Sequence, residues 1–527
     1  MDSRNKPKDP GASVSRMFVF GTGDIYGSAI SVYSFFYAKF VTDVICLEPI
    51  YAGVVWLLTN IWDAAIDPVM GYLSDITRSR FGRRRVFFIA GMLPVFVSFF
   101  LLWNPVRLAS TGVKFAYVLT TSLLFKSVYT MVMVPYNAMR TEFTLDYALR
   151  NRLALMGMIF SSAATALAYI LPPALADFGG DSLSGYTYMA LILGLLFTLP
   201  WPLVLLSTRG MDNFPPAKRS FIDFVRTTLG PFGFKSFRRF AVMYLSAIAA
   251  LDLISMLFVY YADYYLLGSG GGFSFEKLIV PIGGALIVQA AAVPVYNGIS
   301  KRSGKHAAYI VSGVLWILGC AVIFLLPPLS SPASVMWLLP LGMLMGAGIS
   351  GIMIMTGSIL SDMAEVGELK FGERREGMFS GLMLFLRKGG DALINFLALA
   401  SLGLAGYAAP VGNIKQPQPE SVLLVIRIFL AAVPALLILA GIIAAAKYPL
   451  GARLHAMLNF YLKKRREGIE LDSKIGDLLF SAVIGGKNGI VYNKSVERDL
   501  LRMIKEAGGT EEEIFARPSD NKKRSRA

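Results

Sequence analysis

Two carboxylates, Asp63 and Asp67, stand four residues apart in NIWDAAIDPVMGYLSD, inside a run that is otherwise apolar. Residues at i and i+4 share one face of a helix. A carboxylate at mid-membrane costs about 2.5–3.5 kcal/mol even on a lenient insertion scale, and two side by side also repel. Such a pair shares a proton or binds a cation. Pro68 follows directly and has no N–H, so the Ala64 carbonyl loses its helical partner and is expected to serve a cation or a water. The competing reading is structural: the two acids brace neighbouring helices through hydrogen bonds.

Other ionisable residues interrupt apolar runs: Asp24 in GTGDIYG, Lys126 in LLFKSVY, Asp252 in AALDLIS, and Lys388 with Asp391 in RKGGD. A mid-span lysine is too deep to snorkel easily, so it faces a cavity or a carboxylate. Lys126 is expected to pair with Asp252 or to contact solute directly. Lys388 and Asp391, three apart, read as a local pair. Tyr129, Tyr136 and Asn137 are candidate pocket residues, with ordinary helix packing as the alternative.

The elements that position these residues follow from composition. Of 527 residues, 55% are hydrophobic and 16% charged, well below the roughly 25% charged of a soluble domain. Mean hydropathy is +0.56. Apolar runs of about 20 residues recur, long enough to cross about 30 Å of hydrocarbon, which excludes a soluble α/β enzyme. Twelve segments are expected, at about 17–42, 49–75, 86–104, 114–140, 153–176, 186–207, 239–266, 274–298, 308–327, 334–361, 376–404 and 421–447. The fold class is thus all-α membrane protein, twelve transmembrane helices in two six-helix halves. Residues 1–16 form a polar tail, 17–208 the first half, 209–238 a basic linker with FIDFVRTTL as a candidate surface helix, 239–450 the second half, and 451–527 a charged tail with one or two surface helices and a disordered end.

The net charge of +16 sits in alternate loops. Arg78, Arg80 and Arg83 to Arg85 follow segment 2, Arg150 and Arg152 follow segment 4, and KRSGK follows segment 8; the opposite loops hold little beyond Arg107, Lys114, Lys277 and Lys415. The positive-inside rule therefore puts both termini in the cytoplasm and explains the charge without nucleic acid. The loop GYLSDITRSRFGRRR has a weak echo, GISKRSGKH, after segment 8, as repeated halves would give. MDSRNKPKDPGASVSR has no apolar core of a signal peptide. Cys46 and Cys320 suggest neither disulfide nor metal cluster, His306 and His455 sit near basic segments, and no Walker-type phosphate loop is present. No enzyme constellation appears.

WDAAIDPVMGYLSDITRSRFGRRR, with TDV at 42–44, VPYNAM at 134–139, GELKFGERREG at 367–377 and RKGGD at 387–391, resembles the glycoside–pentoside–hexuronide:cation symporters of the major facilitator superfamily, the melibiose permease type. The resemblance implies alternating access in an inner (cell) membrane by a monomer. It implies a cation site of Asp63, Asp67 and Thr130, and a gate of Asp75, Arg78, Gly82 and Arg83. The coupling cation is H+ or Na+, with no other cofactor. Ile66 stands where sodium-using members carry asparagine, which favours the proton. The sugar contacts also depart: Tyr26 and Gly27 replace a Lys-Asp pair, Met133 an aspartate, Asn137 a tryptophan and Met158 an arginine, while Lys388 is kept. Expected solute contacts are Asp24, Tyr26, Lys126, Tyr129, Asn137, Asp252 and Lys388. The expected partners are a small polar solute such as a sugar, glycoside or hexuronide, a monovalent cation and the bilayer. Eukaryotic lysolipid transporters share the segment 2 pattern, so an amphiphile is the alternative solute. A non-transporting sensor or scaffold is a third reading, against which the cost of the paired aspartates speaks.

Overall fold

The computed structural model describes residues 13–507 except 107, 145–146, 178–181, 211–229, 267–275, 329–337, 373–375, 412–414, 470 and 485–493, and also residues 510 and 514. Most of the N-terminal tail and of the linker, including FIDFVRTTL, lies outside the described residues, as does nearly all of the chain beyond 507.

Among the described residues, nine helices are long and apolar enough to cross a membrane, or ten if Ile282–Ala291 and Val293–Ser303 count as one span bent by 40°. The bend falls at Pro294, which supplies no N–H to the helix ladder. Length and apolarity alone therefore do not reach the expected twelve, and two segments show why. Every 18-residue stretch of Glu376–Leu404 contains Arg387, Lys388 and Asp391. The first segment is broken into Val14–Gly21, Asp24–Gly27 and Ala29–Asp43. Gly23 permits that break: a Cβ there would lie 2.5 Å from the Tyr136 ring. Tyr136 in turn donates to the Phe20 carbonyl at 2.9 Å, an oxygen that the Gly23 N–H also bonds, so Thr111–Glu142 braces the break. Large side chains such as Leu93, Leu195, Leu206 and Leu436 are exposed around the bundle, as a lipid-facing belt requires.

The long helix Pro49–Ile76 opens on a proline, where the missing N–H costs nothing. It packs along Glu376–Leu404 of the other half. A Cβ on Gly53 would come within 3.2 Å of Leu399 and of the Phe396 carbonyl, and one on Gly403 within 3.1 Å of the Ile50 nitrogen. These two glycines let the helices approach closely at their shared end. At the other end the loop echo has a structural counterpart: Gly82 and Gly304 both have positive φ, 107° and 90°, a backbone that L side chains resist.

The halves are also bonded together at the end away from the basic loops. Lys39 of Ala29–Asp43 bonds Asp43 and, at 2.6 Å, Asp263. Lys415 reaches Asp263 at 2.5 Å. Tyr264 donates to Asp43 at 2.8 Å, Tyr407 also bonds Asp43, and Thr42 meets Tyr260 at 2.8 Å. Asp263 and Tyr264 lie in Tyr261–Leu266, a wider-wound π turn that extends Lys235–Tyr260. Such turns re-aim side chains and are frequent at functional positions.

The C-terminal tail differs from the expectation of one or two surface helices. Among the described residues it forms three, Ala452–Arg466, Ser473–Val483 and Lys494–Glu506. Each sinks an apolar face: Leu454, Leu458, Ile475, Leu479, Leu500 and Ile504 are fully buried. The signal was a helical-period stripe inside a basic sequence.

Removing one partner of a buried ion pair costs about 3–5 kcal/mol. Asp263→Asn should therefore loosen the bonded end. Spin labels on cysteines at positions 112 and 411, one in each half, should show a longer-distance population by pulsed electron resonance. An unchanged distance distribution would mean that this network does not hold the halves together.

Candidate functional site

Asn60, Asp63 and Asp67 share one face of Pro49–Ile76, and Lys126 and Thr130 are one turn apart on Thr111–Glu142. The Thr130 hydroxyl lies 3.1 Å from Asp63 Oδ1 and 3.0 Å from Asp67 Oδ1, bridging the two acids. The Lys126 ammonium donates to Asp63 Oδ2 at 3.2 Å and to Asn60 Oδ1 at 3.3 Å. From the other half, Lys388 reaches Asp63 Oδ2 at 2.9 Å and Asp67 Oδ2 at 2.5 Å. Asp63, Lys126 and Thr130 are buried. Two carboxylates and two ammonium groups thus form one neutral cluster at the contact between the halves.

Two expectations are corrected here. Lys126 pairs with Asp63 and not with Asp252, because its helix packs directly on Pro49–Ile76. Lys388 does not pair locally with Asp391; it crosses to the aspartate pair, and Asp391 is bonded by Asn395. Lys388 also donates to the Asp63 carbonyl at 3.2 Å, an oxygen that Pro68 does not free.

A second polar group starts from the residue just before Lys388 on Glu376–Leu404. Arg387 stands 3.9 Å from Asp252 and is 43% exposed. Asp252 Oδ2 is buried and has no hydrogen-bond partner among the described residues. Arg387 was missed by sequence reasoning, although it is the first residue of the quoted RKGGD.

The remaining expected contacts are scattered. Asp24 is bonded by Arg140, and the Tyr136 oxygen lies 3.3 Å from it. Tyr26 is fully buried, its ring 5.3 Å from that of Tyr129 and 5.7 Å from that of Trp201. Tyr129 is half-buried and 3.5 Å from the Gly27 carbonyl, and Asn137 is exposed. At the basic end Asp75 takes Arg84 at 2.8 Å as its partner. Arg83 forks onto Glu142 at 2.8 and 2.9 Å, with Arg84 joining it at 2.6 Å, while Arg78 is exposed. These bonds tie the Gly82 turn to the end of Thr111–Glu142 within one half.

The tail also carries chemistry that its sequence did not disclose. His455 Nε2 lies 2.6 Å from Glu365 and 3.5 Å from Asp362. Lys305 donates to both oxygens of Asp362 at 2.7 Å, and Arg466 Nε to Glu368 at 2.6 Å. Asp362, Glu365 and His455 are close enough to share a metal ion, but the Lys305 ammonium already neutralises Asp362.

The profile of the MFS/sugar transport protein family matches residues 19–452. With the helical bundle and the buried charge cluster, this defines a multi-pass membrane transporter of the major facilitator fold. The chain belongs to that family. An uncharacterised symporter of Synechocystis sp. is 26% identical over 85% of this chain and 96% of its own. The glucuronide carrier protein homolog of Escherichia coli is 25% identical, over 82% and 91%. The sodium-dependent lysophosphatidylcholine symporter 1 of Gallus gallus is 23% identical, over 79% and 82%. Among solved structures, the nucleoside transporter NupG superposes with a TM-score of 0.55 at 15% identity, over 82% of this chain and 98% of its own. That likeness concerns the fold.

Burial opposes protonation of His455, but the Glu365 bond and the Asp362 and Glu365 charges outweigh it, so its pKa is raised above the ordinary 6.5 despite Lys305. A raised pKa contributes stability that is complete below the unfolded value and is lost as pH rises through the folded one. The His455 ring signal in NMR should titrate above about 6.5, and Glu365→Gln should lower the midpoint. A midpoint at or below 6.5 in the intact chain would contradict the contact.

Proposed function

We propose that the chain is a cation-coupled symporter that moves a small polar solute, of the sugar, glycoside or hexuronide type, by alternating access in the inner membrane as a monomer. The observation that carries this reading is the tie from Lys388 to both Asp63 and Asp67. Rocking of one half against the other must break it, and breaking it with all charges in place strands buried ions. A cation arriving at the aspartates replaces what Lys388 supplied. Cation occupancy and the movement of the halves are then linked, as symport requires.

The solute class is supported by the glucuronide carrier relative and by polar groups near the cluster. Asp252 and Arg387 are loosely paired, and the partner-free oxygen of Asp252 suits a sugar hydroxyl. Asp24, Tyr26, Lys126, Tyr129 and Asn137 remain candidates for the same surface. The basic loops favour a cytoplasmic position for that end and for both termini. The bonded opposite end is then an outer gate, closed here. Asp75, Gly82, Arg83 and Arg84 would set the shape of the loop that meets the cytoplasm. The lysophosphatidylcholine symporter relative keeps an amphiphile as the second reading.

Purified protein in proteoliposomes, given glycosides, glucuronides and a lysolipid under imposed proton or sodium gradients, tests both. Uphill uptake of a polar solute is expected. Asp63→Asn and Asp67→Asn should each abolish accumulation while leaving exchange, since amides keep the size but not the charge. Full accumulation in the double variant would reduce the aspartates to bracing, and uptake of lysolipid alone would favour the second reading.

A further inference from the structure

A site that recruits an alkali cation needs oxygen ligands and a deficit of positive charge. The aspartate pair lacks the second. The single Thr130 hydroxyl proton lies between Asp63 Oδ1 and Asp67 Oδ1 and serves one of them at a time, Asp63 Oδ2 accepts from Lys126 and Lys388, and Asp67 Oδ2 accepts from Lys388. One lysine against two aspartates would leave one negative charge, which is what a bound monovalent cation satisfies. The second lysine removes it.

Lys126 is the one that does so from within the ligand set. Its helix also supplies Thr130, one turn on. Its ammonium touches Asp63 and Asn60, two of the oxygens that face the cluster from Pro49–Ile76. It also lies 5.1 Å from the centre of the Tyr33 ring, a position that favours a cation. It is 5% exposed, so water does not screen it. The non-hydrogen-bonding side chain of Ile66 sits beside Asp67 in the sequence, adding no oxygen.

We propose that the Lys126 ammonium is a tethered cation standing in the place of a coupling sodium ion, which leaves the proton as the ion this carrier uses. The functional meaning rests on the symport reading above; the exclusion of sodium does not. A sodium ion would have to displace Lys126 and bring a further charge into a neutral, buried cluster. A proton needs only one carboxylate oxygen. Once it binds, that oxygen no longer holds its lysine by charge, and the tie between the halves weakens. The other ionisable groups facing the cluster from packed helices are Tyr33, Tyr129, Asp252, Arg387 and Asp391.

The probe is radiolabelled sodium, bound to purified full-length protein in nanodiscs and read by scintillation proximity. The wild type should show no saturable binding. Lys126→Gln and Lys126→Ala, which vacate the ammonium position with and without keeping volume, should gain saturable binding that lithium competes. Asp67→Asn added to either should abolish it, and Lys126→Arg, which keeps the charge, should stay silent. Saturable sodium binding by the wild type overturns the inference without any variant. So does silence in a Lys126→Gln or Lys126→Ala protein that melts cooperatively. In the transport assay, sodium-driven uptake by the wild type would sink this inference and preserve symport. Absence of any coupled uptake, with the binding pattern above, would sink symport and preserve the inference.

Discussion

Four charges in a medium of low dielectric must sum to nearly zero, and they must stay in contact to do so. That constraint governs the centre of this protein. Asp63 and Asp67 come from one half, and so does Lys126, while Lys388 comes from the other. Removing any one leaves a buried charge uncompensated, at a cost far above that of a surface pair. The surrounding architecture meets the demand for contact. Gly53 and Gly403 let two helices from different halves approach closely, and Thr130 holds the two carboxylates at one spacing.

The same logic recurs at two other places. At the end away from the basic loops, Asp263 is fully enclosed and takes two lysines, Lys39 and Lys415, from opposite halves. On the tail, His455 and Arg466 bind acids of Leu338–Phe371. Each is a charge contact that a conformational change can trade for water or for another partner. Among the bonds described, those crossing between the halves run from mid-helix to the far end. The basic-loop bonds of Asp75, Arg83, Arg84 and Glu142 instead stay within the first half.

Much of this was legible in the sequence. The i,i+4 aspartates and the basic loops could be placed because helical period and hydropathy determine faces and spans, and Thr130 because the resemblance implied it. What period cannot give is the partner across a helix contact. Lys126 faces inward on any reading, but whether Asp63 or Asp252 receives it depends on how Thr111–Glu142 packs. Lys388 had a carboxylate three residues away in its own helix, and the local pair lost to two acids in a neighbouring one. Asp263 and Lys39 escaped notice because each stands near a helix end, where a charge usually means solvent. The tail helices were underrated because their charges mask an apolar stripe.

The claim on which this account stands is that Lys388 and Asp67 act as one unit across the halves. A double-mutant cycle on thermal stability measures this most directly, using Lys388→Gln, Asp67→Asn and the pair together. Contacting charges show coupling energies of about 0.5–3 kcal/mol. The account predicts a value in the upper part of that range, with the double variant more stable than the single variants predict. Additive effects, with no coupling beyond error, would contradict it.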